Sequence, residues 1–445
     1  MPAHRRCCPS AIVAAGIVML SASFAAPAWA QVGSLGGAAG PTLTPPPVLT
    51  NRDDPFTKPG REYSAVPIGI WLAYPTLFFG GVFDNNVSQT TAGRTSSAGA
   101  RLVPSLLAEA NDGIHKTTLY GMADARLYGN GGTRSIDALA ARAGVIERFQ
   151  PMLDMVFNFQ GDYTRQRDLF STFGIDHSVT SLNPTAIGLA PTTSPLAYNQ
   201  FSGTASVQKA FGSAFVNIGG SVVGIQYDHN DPTSPSPDGV TYTATGRGGF
   251  WFTPVLYAYT EAALDERRFS NQIFNSSGYR TVGGIGSDQI GLFRGEVYGG
   301  YQSERHDFAP IGNVSGTVFG GRVYYYPVRE LTLSAAVDES LGVSLLAANS
   351  TGAPGVSTRA TTVLLQATYA LAREWTASSR LGFIHTDYVN AVRTDDAWTV
   401  GATLTYSVWY NFGLTLDYQR VQLTSNAPLA GFTRDVISVG GTYKY

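Results

Sequence analysis

The chain ends Thr433-Arg434-Asp435-Val436-Ile437-Ser438-Val439-Gly440-Gly441-Thr442-Tyr443-Lys444-Tyr445. Ile437, Val439, Gly441, Tyr443 and Tyr445 share one face of an extended segment, while Asp435, Ser438, Thr442 and Lys444 make the rest of it polar. Alternation with a period of two is the mark of a strand whose two sides meet different surroundings. The same pattern repeats upstream. Phe412, Leu414, Leu416 and Tyr418 oppose Thr415, Asp417 and Gln419, and Met155, Phe157, Phe159 and Tyr163 oppose Asn158, Gln160, Asp162 and Thr164. Val363, Leu365, Ala367 and Tyr369 oppose Thr362, Gln366 and Thr368, and Phe319, Val323 and Tyr325 oppose Arg322 and Tyr324. A soluble sandwich also alternates, so the pattern alone does not choose between water and lipid.

The connections make that choice. Every second one is tight, as at Phe149-Gln150-Pro151, Phe211-Gly212-Ser213, Tyr326-Pro327-Val328 and Tyr410-Asn411-Phe412. The intervening ones are longer and polar or rich in Gly and Pro, notably Asp168 to Asn199, His229 to Gly239 and Gly342 to Ser357. Short turns on one side and long loops on the other define a transmembrane antiparallel β-barrel, with the turns in the periplasm. About eighteen strands fit between residues 71 and 445, and sixteen is the other count the pattern permits. An even number returns the C-terminus to the side where the barrel began. Pro104 falls inside the second strand, where its missing N–H predicts a bulge or local break. The aromatic-terminated last strand resembles the signal that hands such proteins to the barrel-assembly machinery.

Composition agrees with a surface that meets lipid. Charged residues are 14%, Gly numbers 50 and Tyr 23 in 445 residues, against roughly 25% charged residues in soluble domains. Lys+Arg of 30 against Asp+Glu of 32 gives a net charge of −2, which excludes a general nucleic-acid binder. The mean hydropathy of −0.02 excludes a bundle of membrane helices.

The N-terminus sets the compartment. His4, Arg5 and Arg6 precede an apolar run from Ala11 to Phe24, and Ala28-Trp29-Ala30 reads as a cleavage site before Gln31. That run is shorter than the roughly 20 residues of a spanning helix, so residues 1–30 are expected to be a cleaved signal peptide. Cys7 and Cys8 leave with it, and the mature chain then has no disulfide, thiol catalysis or cysteine metal site. Residues 31–70, centred on Pro45-Pro46-Pro47, form a Gly/Pro-rich lead expected to stay extended or disordered in the periplasm as a spacer, with a plug or a docking strand as the other readings. Residues 71–445 are the barrel, and the expected location is the Gram-negative outer membrane.

The opening strand Tyr74-Pro75-Thr76-Leu77-Phe78-Phe79-Gly80-Gly81-Val82-Phe83-Asp84-Asn85-Asn86-Val87 leads into Gly99-Ala100-Arg101-Leu102-Val103-Pro104-Ser105-Leu106. Tyr120-Gly121-Met122-Ala123-Asp124-Ala125-Arg126-Leu127-Tyr128 follows. Together they resemble the putative β-barrel porin type 2 family over about residues 71–445. The resemblance implies an outer-membrane barrel and, by analogy with similar barrels, polysaccharide export beside a periplasmic export protein. It carries no catalytic residues.

A barrel of this size leaves an aqueous lumen unless plugged. Alternation places Arg101, Glu109, Asp124, Arg126, Arg142, Asp162, Glu261, Asp265, Arg294, Glu296, Arg322, Arg380 and Asp417 on the lumen side, since a basic residue facing midplane lipid costs about 2–4 kcal/mol. Tyr120, Tyr298 and Tyr324 lie on the same face, where they stack on sugar rings or simply fill space. Asp84-Asn85-Asn86 and Asp395-Asp396 lack calcium-loop spacing, and turn formation explains them better. Gly283-Gly284-Ile285-Gly286 lies within a strand pattern with no helix after it, so it is no phosphate loop, and strand bending accounts for it.

Five histidines remain after cleavage. His177, His229 and His306 are expected in outer loops and His115 near a periplasmic turn. His385 with Asp387, above Ser378 and Ser379, is the nearest approach to a hydrolytic triad, but the serines are too far along the strand for direct contact, which leaves only cross-strand partners open. No catalytic, cofactor or metal site is expected. The function expected is a channel for hydrophilic solutes, in its sharper form the exit pore of an exopolysaccharide export system. The alternatives are a non-conducting scaffold or surface receptor and, least of all, a lipid-modifying barrel enzyme. Expected partners are outer-membrane lipid and lipopolysaccharide, the barrel-assembly machinery and a periplasmic polysaccharide-export protein, with no nucleic acid.

Overall fold

The computed structural model describes residues 65–87, 91, 93–129, 138–168, 196–227, 238–270, 272, 275–308, 312–344, 356–389, 393–426 and 431–444. The expected signal peptide, residues 1–30, and nearly all of the expected lead lie outside these residues, as do His177, His229 and Tyr445. Within the described residues the last part of the lead, Val66–Ile68, forms a short strand β1.

The strands that follow are β2 (Trp71–Asp84), β3 (Ser97–Asn111), β4 (His115–Tyr128), β5 (Ala138–Met152), β6 (Met155–Asp168) and β7 (Leu196–Phe211). Next come β8 (Ala214–Tyr227), β9 (Gly239–Trp251), β10 (Leu256–Phe269), β11 (Ser276–Ile290), β12 (Phe293–His306) and β13 (Val314–Val328). The last six are β14 (Leu331–Ser344), β15 (Val356–Ala370), β16 (Trp375–Tyr388), β17 (Thr394–Ser407), β18 (Phe412–Ser425) and β19 (Phe432–Lys444). Each of β2 to β19 pairs antiparallel with its sequence neighbours. β19 returns to β2 in the register Val436↔Asp84 to Lys444↔Thr76, which closes an 18-strand ring with β1 outside it, folded back on Trp71 to Ala73. Closure is what lipid demands, because hydrocarbon cannot hydrogen-bond a free strand edge.

Strands such as β10 have 14 residues, which at about 3.4 Å each and a tilt near 45° span the apolar band of roughly 25 Å. The turns 153–154, 212–213, 291–292 and 329–330 lie at the periplasmic end, and the longer connections lie opposite. In the β3–β4 turn, Asp112 is held below the usual carboxylate range by the backbone amides of His115 and Ile114. Pro104 breaks the β3–β4 ladder locally between Leu102↔Ala125 and Ser105↔Met122, and the register is the same on both sides, so there is no bulge. Register shifts fall instead near the periplasmic turns, at Phe149/Met152, Ser287/Ile290 and Tyr325/Val328.

The outer surface exposes Leu102, Leu264, Val297, Phe319, Leu416 and Val439 at mid-strand. Aromatic pairs mark strand ends: Phe293–Tyr325 with ring centroids 4.4 Å apart and Trp375–Tyr406 at 4.6 Å near the turns, and Phe383–Trp398 at 4.3 Å near the loops. These are the two interfacial girdles. The packed core of the molecule is its inner wall, where Phe215, Tyr257, Tyr259, Val282, Tyr298 and Val318 form one buried cluster.

Candidate permeation lumen

Strand parity puts all thirteen charged residues named from the sequence on the inner face. They are not scattered. Arg101 clamps Asp124 through two hydrogen bonds of 3.0 and 2.8 Å, Arg126 binds the same carboxylate at 3.0 Å, and Arg101 reaches Asp417 at 4.0 Å. Arg247 bridges Glu261 at 2.6 Å and Glu296 at 3.3 Å, with Arg322 at 3.9 Å from Glu296. Arg267 links Glu304 at 2.8 Å and Asp265 at 3.2 Å. Nearer the periplasm Arg142 holds Asp162 at 2.6 Å. Arg294 and Asp288 lie 3.8 Å apart, both partly exposed. Arg380 lies across Gly401, and Glu109 sits half-buried at the periplasmic end of β3. Acids and bases therefore neutralise one another around the ring.

The sequence reading missed Arg247, Arg267, Glu304, Arg280 and the pair Asp84–Arg434 (Nε to Oδ2, 2.9 Å). Arg247 stands in Thr245-Gly246-Arg247-Gly248-Gly249, where glycines erase the alternation. Arg267 stands in Asp265-Glu266-Arg267-Arg268, where four consecutive charges hide which ones point inward. Pairing settles it: Arg267 is buried and Arg268 is exposed.

The tyrosines have a structural role. Tyr257 and Tyr259 lie over Gly286 and Gly284, and Tyr120 and Tyr298 lie over Gly144 and Gly320, so each ring fills the space of a missing Cβ on the next strand. The Tyr120 hydroxyl donates to Asp162 at 2.7 Å, and Tyr298 donates to Asp338. Arg247 stacks 4.0 Å above the Tyr259 ring. Gly283 to Gly286 thus seats tyrosine rings, a use beyond the strand bending expected. Tyr324 remains on the inner face near the turns, half-buried. Gly286→Val should cost about 1–3 kcal/mol, because the buried Tyr257 ring must leave its rotamer. A lowered urea midpoint for the refolded barrel would register this, and no change would refute the seating argument.

One expectation is corrected. His306 is not in a loop but ends β12, buried, with Nε2 3.2 Å from Ser357 Oγ. His385 meets no serine; it hydrogen-bonds Asp396 at 2.7 Å and lies 3.3 Å from Asp387 on the outward face. Asp84 accepts from the Asn86 backbone N–H at 3.0 Å as in a turn, and Asp395 is held by Arg393 at 2.7 Å. Among the described residues no group of three His, Cys, Asp or Glu side chains could hold a metal ion.

The inner wall changes character around and along the barrel. On β6 to β8 it carries Asn158, Gln160, Ser202, Thr204, Ser206 and Asn217, neutral amides and hydroxyls paired across strands. Inner positions are half-buried toward the periplasmic ends of β4, β5, β14 and β16 and buried toward the outer ends of β9 to β12.

A closed ring with an apolar outside, two aromatic girdles and a polar inside is a membrane-spanning β-barrel of the outer-membrane type. Residues 59–445 match the Putative beta-barrel porin 2 family, and the chain belongs to it. No curated protein matches the sequence. Among solved structures, the siderophore receptor PirA from Pseudomonas aeruginosa is similar with a TM-score of 0.41 at 8% identity, over 85% of this chain and 81% of that one. The FrpB iron transporter from Neisseria meningitidis gives 0.42 at 10%, over 86% and 83%. The copper transporter OprC gives 0.41 at 10%, over 85% and 82%. At these scores the likeness carries nothing about cargo.

Proposed function

We propose that the protein is an aqueous channel for hydrophilic solutes and, in its sharper form, an exit pore for a polysaccharide chain. The neutral amide and hydroxyl wall of β6 to β8 carries the reading. Such groups exchange hydrogen bonds with water or sugar hydroxyls alike, so a chain can slide without meeting a deep binding well, which is the condition for conduction. The paired charges elsewhere on the wall lie within a Debye length of about 8–10 Å of one another and cancel.

Single-channel recording of the refolded protein in a planar bilayer tests this. Stable steps are expected, with a reversal potential near zero in a KCl gradient. Neutral oligosaccharides should cause brief, concentration-dependent blocks. Steps without sugar block would leave a general solute pore. Silence both from the full mature chain and from one lacking residues 31–64, in protein shown to be folded by heat-modifiable migration, would favour a non-conducting scaffold or receptor.

A further inference from the structure

The outer halves of β13 and β14 do not pair. Their register runs from Tyr325↔Leu333 to Gly320↔Asp338 and stops, although β13 begins at Val314 and β14 continues to Ser344. β14 keeps its ladder with β15 through Ser344↔Val356, and β15 keeps its ladder with β16 from Ala370↔Thr376 to Thr358↔Tyr388, so the β14–β15 hairpin parts from β13 alone and stays hinged to the wall along β16. Asp338 and Thr362 point into the lumen, and by parity Leu341 and Arg359 belong to the outward set. Yet Leu341 is wholly buried, clustered with Val314, Val318 and Tyr298 of the inner wall. A Cβ on the inward-facing Gly316 would meet Leu341 Cδ1 at 4.0 Å and Arg359 Nη2 at 2.5 Å. The Gln302 amide donates to the Leu341 carbonyl at 3.0 Å and accepts from its N–H at 3.2 Å. Ser357 reaches His306 of β12 at 3.2 Å. The outward face of the hairpin therefore lies on the inward face of β12 and β13, and the barrel wall overlaps itself.

We propose that this hairpin is a gate with two seats, and this deepens the channel reading, on which its effect on conductance rests. In the seat seen here the hairpin occupies lumen space, held by the Leu341 contacts and by Gln302 in place of ladder bonds. In the other seat it swings outward and continues the existing register, bringing Phe319 opposite Glu339 and Thr317 opposite Leu341. What draws it outward is the edge of β13 from Val314 to Phe319, which has no ladder partner on its β14 side and gains one. The Glu339–Arg359 pair, 3.3 Å apart, lies wholly on the hairpin and travels with it. Each seat satisfies a different set of backbone groups, the condition for two discrete states rather than continuous flexing.

Adjacent residues of β13 report the two seats, because Gly316 faces the lumen and Thr317 faces out. In the full-length chain carrying Cys7→Ser and Cys8→Ser, Gly316→Cys with Leu341→Cys should form a disulfide in the tucked seat. Thr317→Cys with Leu341→Cys should do so in the zipped seat. Both are expected in native membranes, and Gln302→Leu should raise the second at the expense of the first. The tucked lock should give smaller single-channel steps than the zipped lock, reversed by reduction. Failure of the Thr317 pair to cross-link while both thiols remain reactive would overturn the second seat. Equal steps from the two locks would overturn the gate. If neither form conducts before or after reduction, the channel reading falls, and the cross-linking pattern alone then decides whether two seats exist.

Discussion

Arg247→Met should lower the stability of the refolded barrel by about 3–5 kcal/mol, the cost of leaving buried carboxylates without their partner. Glu261 and Glu296 are each 4% exposed, and Arg247 is 3% exposed, so none has water to fall back on. The guanidinium also caps the Tyr259 ring, and its loss frees a second packed group. Arg268→Ala is the control, because its pair with Glu266 has side chains 56% and 49% exposed. Screened surface pairs contribute roughly 0–1 kcal/mol. Urea titration followed by the heat-modifiable gel shift compares the two. Equal losses would mean that the inner ladders are wetter than their burial implies. Adding Glu261→Gln and Glu296→Gln to Arg247→Met should recover part of the loss, since the penalty comes from uncompensated charge.

The second large effect separates the two faces of the wall. Leu264 points out at mid-strand with 63% of its surface exposed, so Leu264→Arg brings a cation into hydrocarbon and should cost about 2–4 kcal/mol in lipid. Thr204, mid-strand on β7 and paired with Gln160 and Ser221 on the inner face, should accept Thr204→Arg with little loss. Folding yield and urea midpoint in bilayers of matched thickness measure both. If the Thr204 variant were as damaging, the register of β7 would be off by one residue, because a single slip exchanges every inward and outward side chain.

Much of this architecture is legible in the chain. Where apolar residues mark every second position, as from Phe412 to Tyr418, both the strand and its faces follow directly. Where glycine or consecutive charges stand instead, as around Arg247 and Arg267, the strand is legible but the face is not. The tyrosine seats are harder still, because Tyr298 and Gly320 sit on different strands and only the pairing joins them. The tucked hairpin is invisible in sequence: Leu341 and Arg359 alternate like ordinary outward residues, and only packing shows that they face a second layer of wall. His306 was misplaced for a related reason. A polar residue at the end of a strand looks like a loop residue until something is seen to cover it.

The seam between the first and last ring strands has a consequence in time as well as space. Asp84 and Arg434 form a buried ion pair across 350 residues of chain, nearly the longest loop the ring can close. Every other strand can add to the neighbour made just before it, but this contact must wait until the chain is complete. Until then the growing sheet has two raw edges and no inside. Contacts of such long sequence separation form late, since their loop-closure entropy must be overcome before they are rewarded. The completed circle is thus the last thing the protein acquires, and an unfinished chain is an open sheet that needs a guardian.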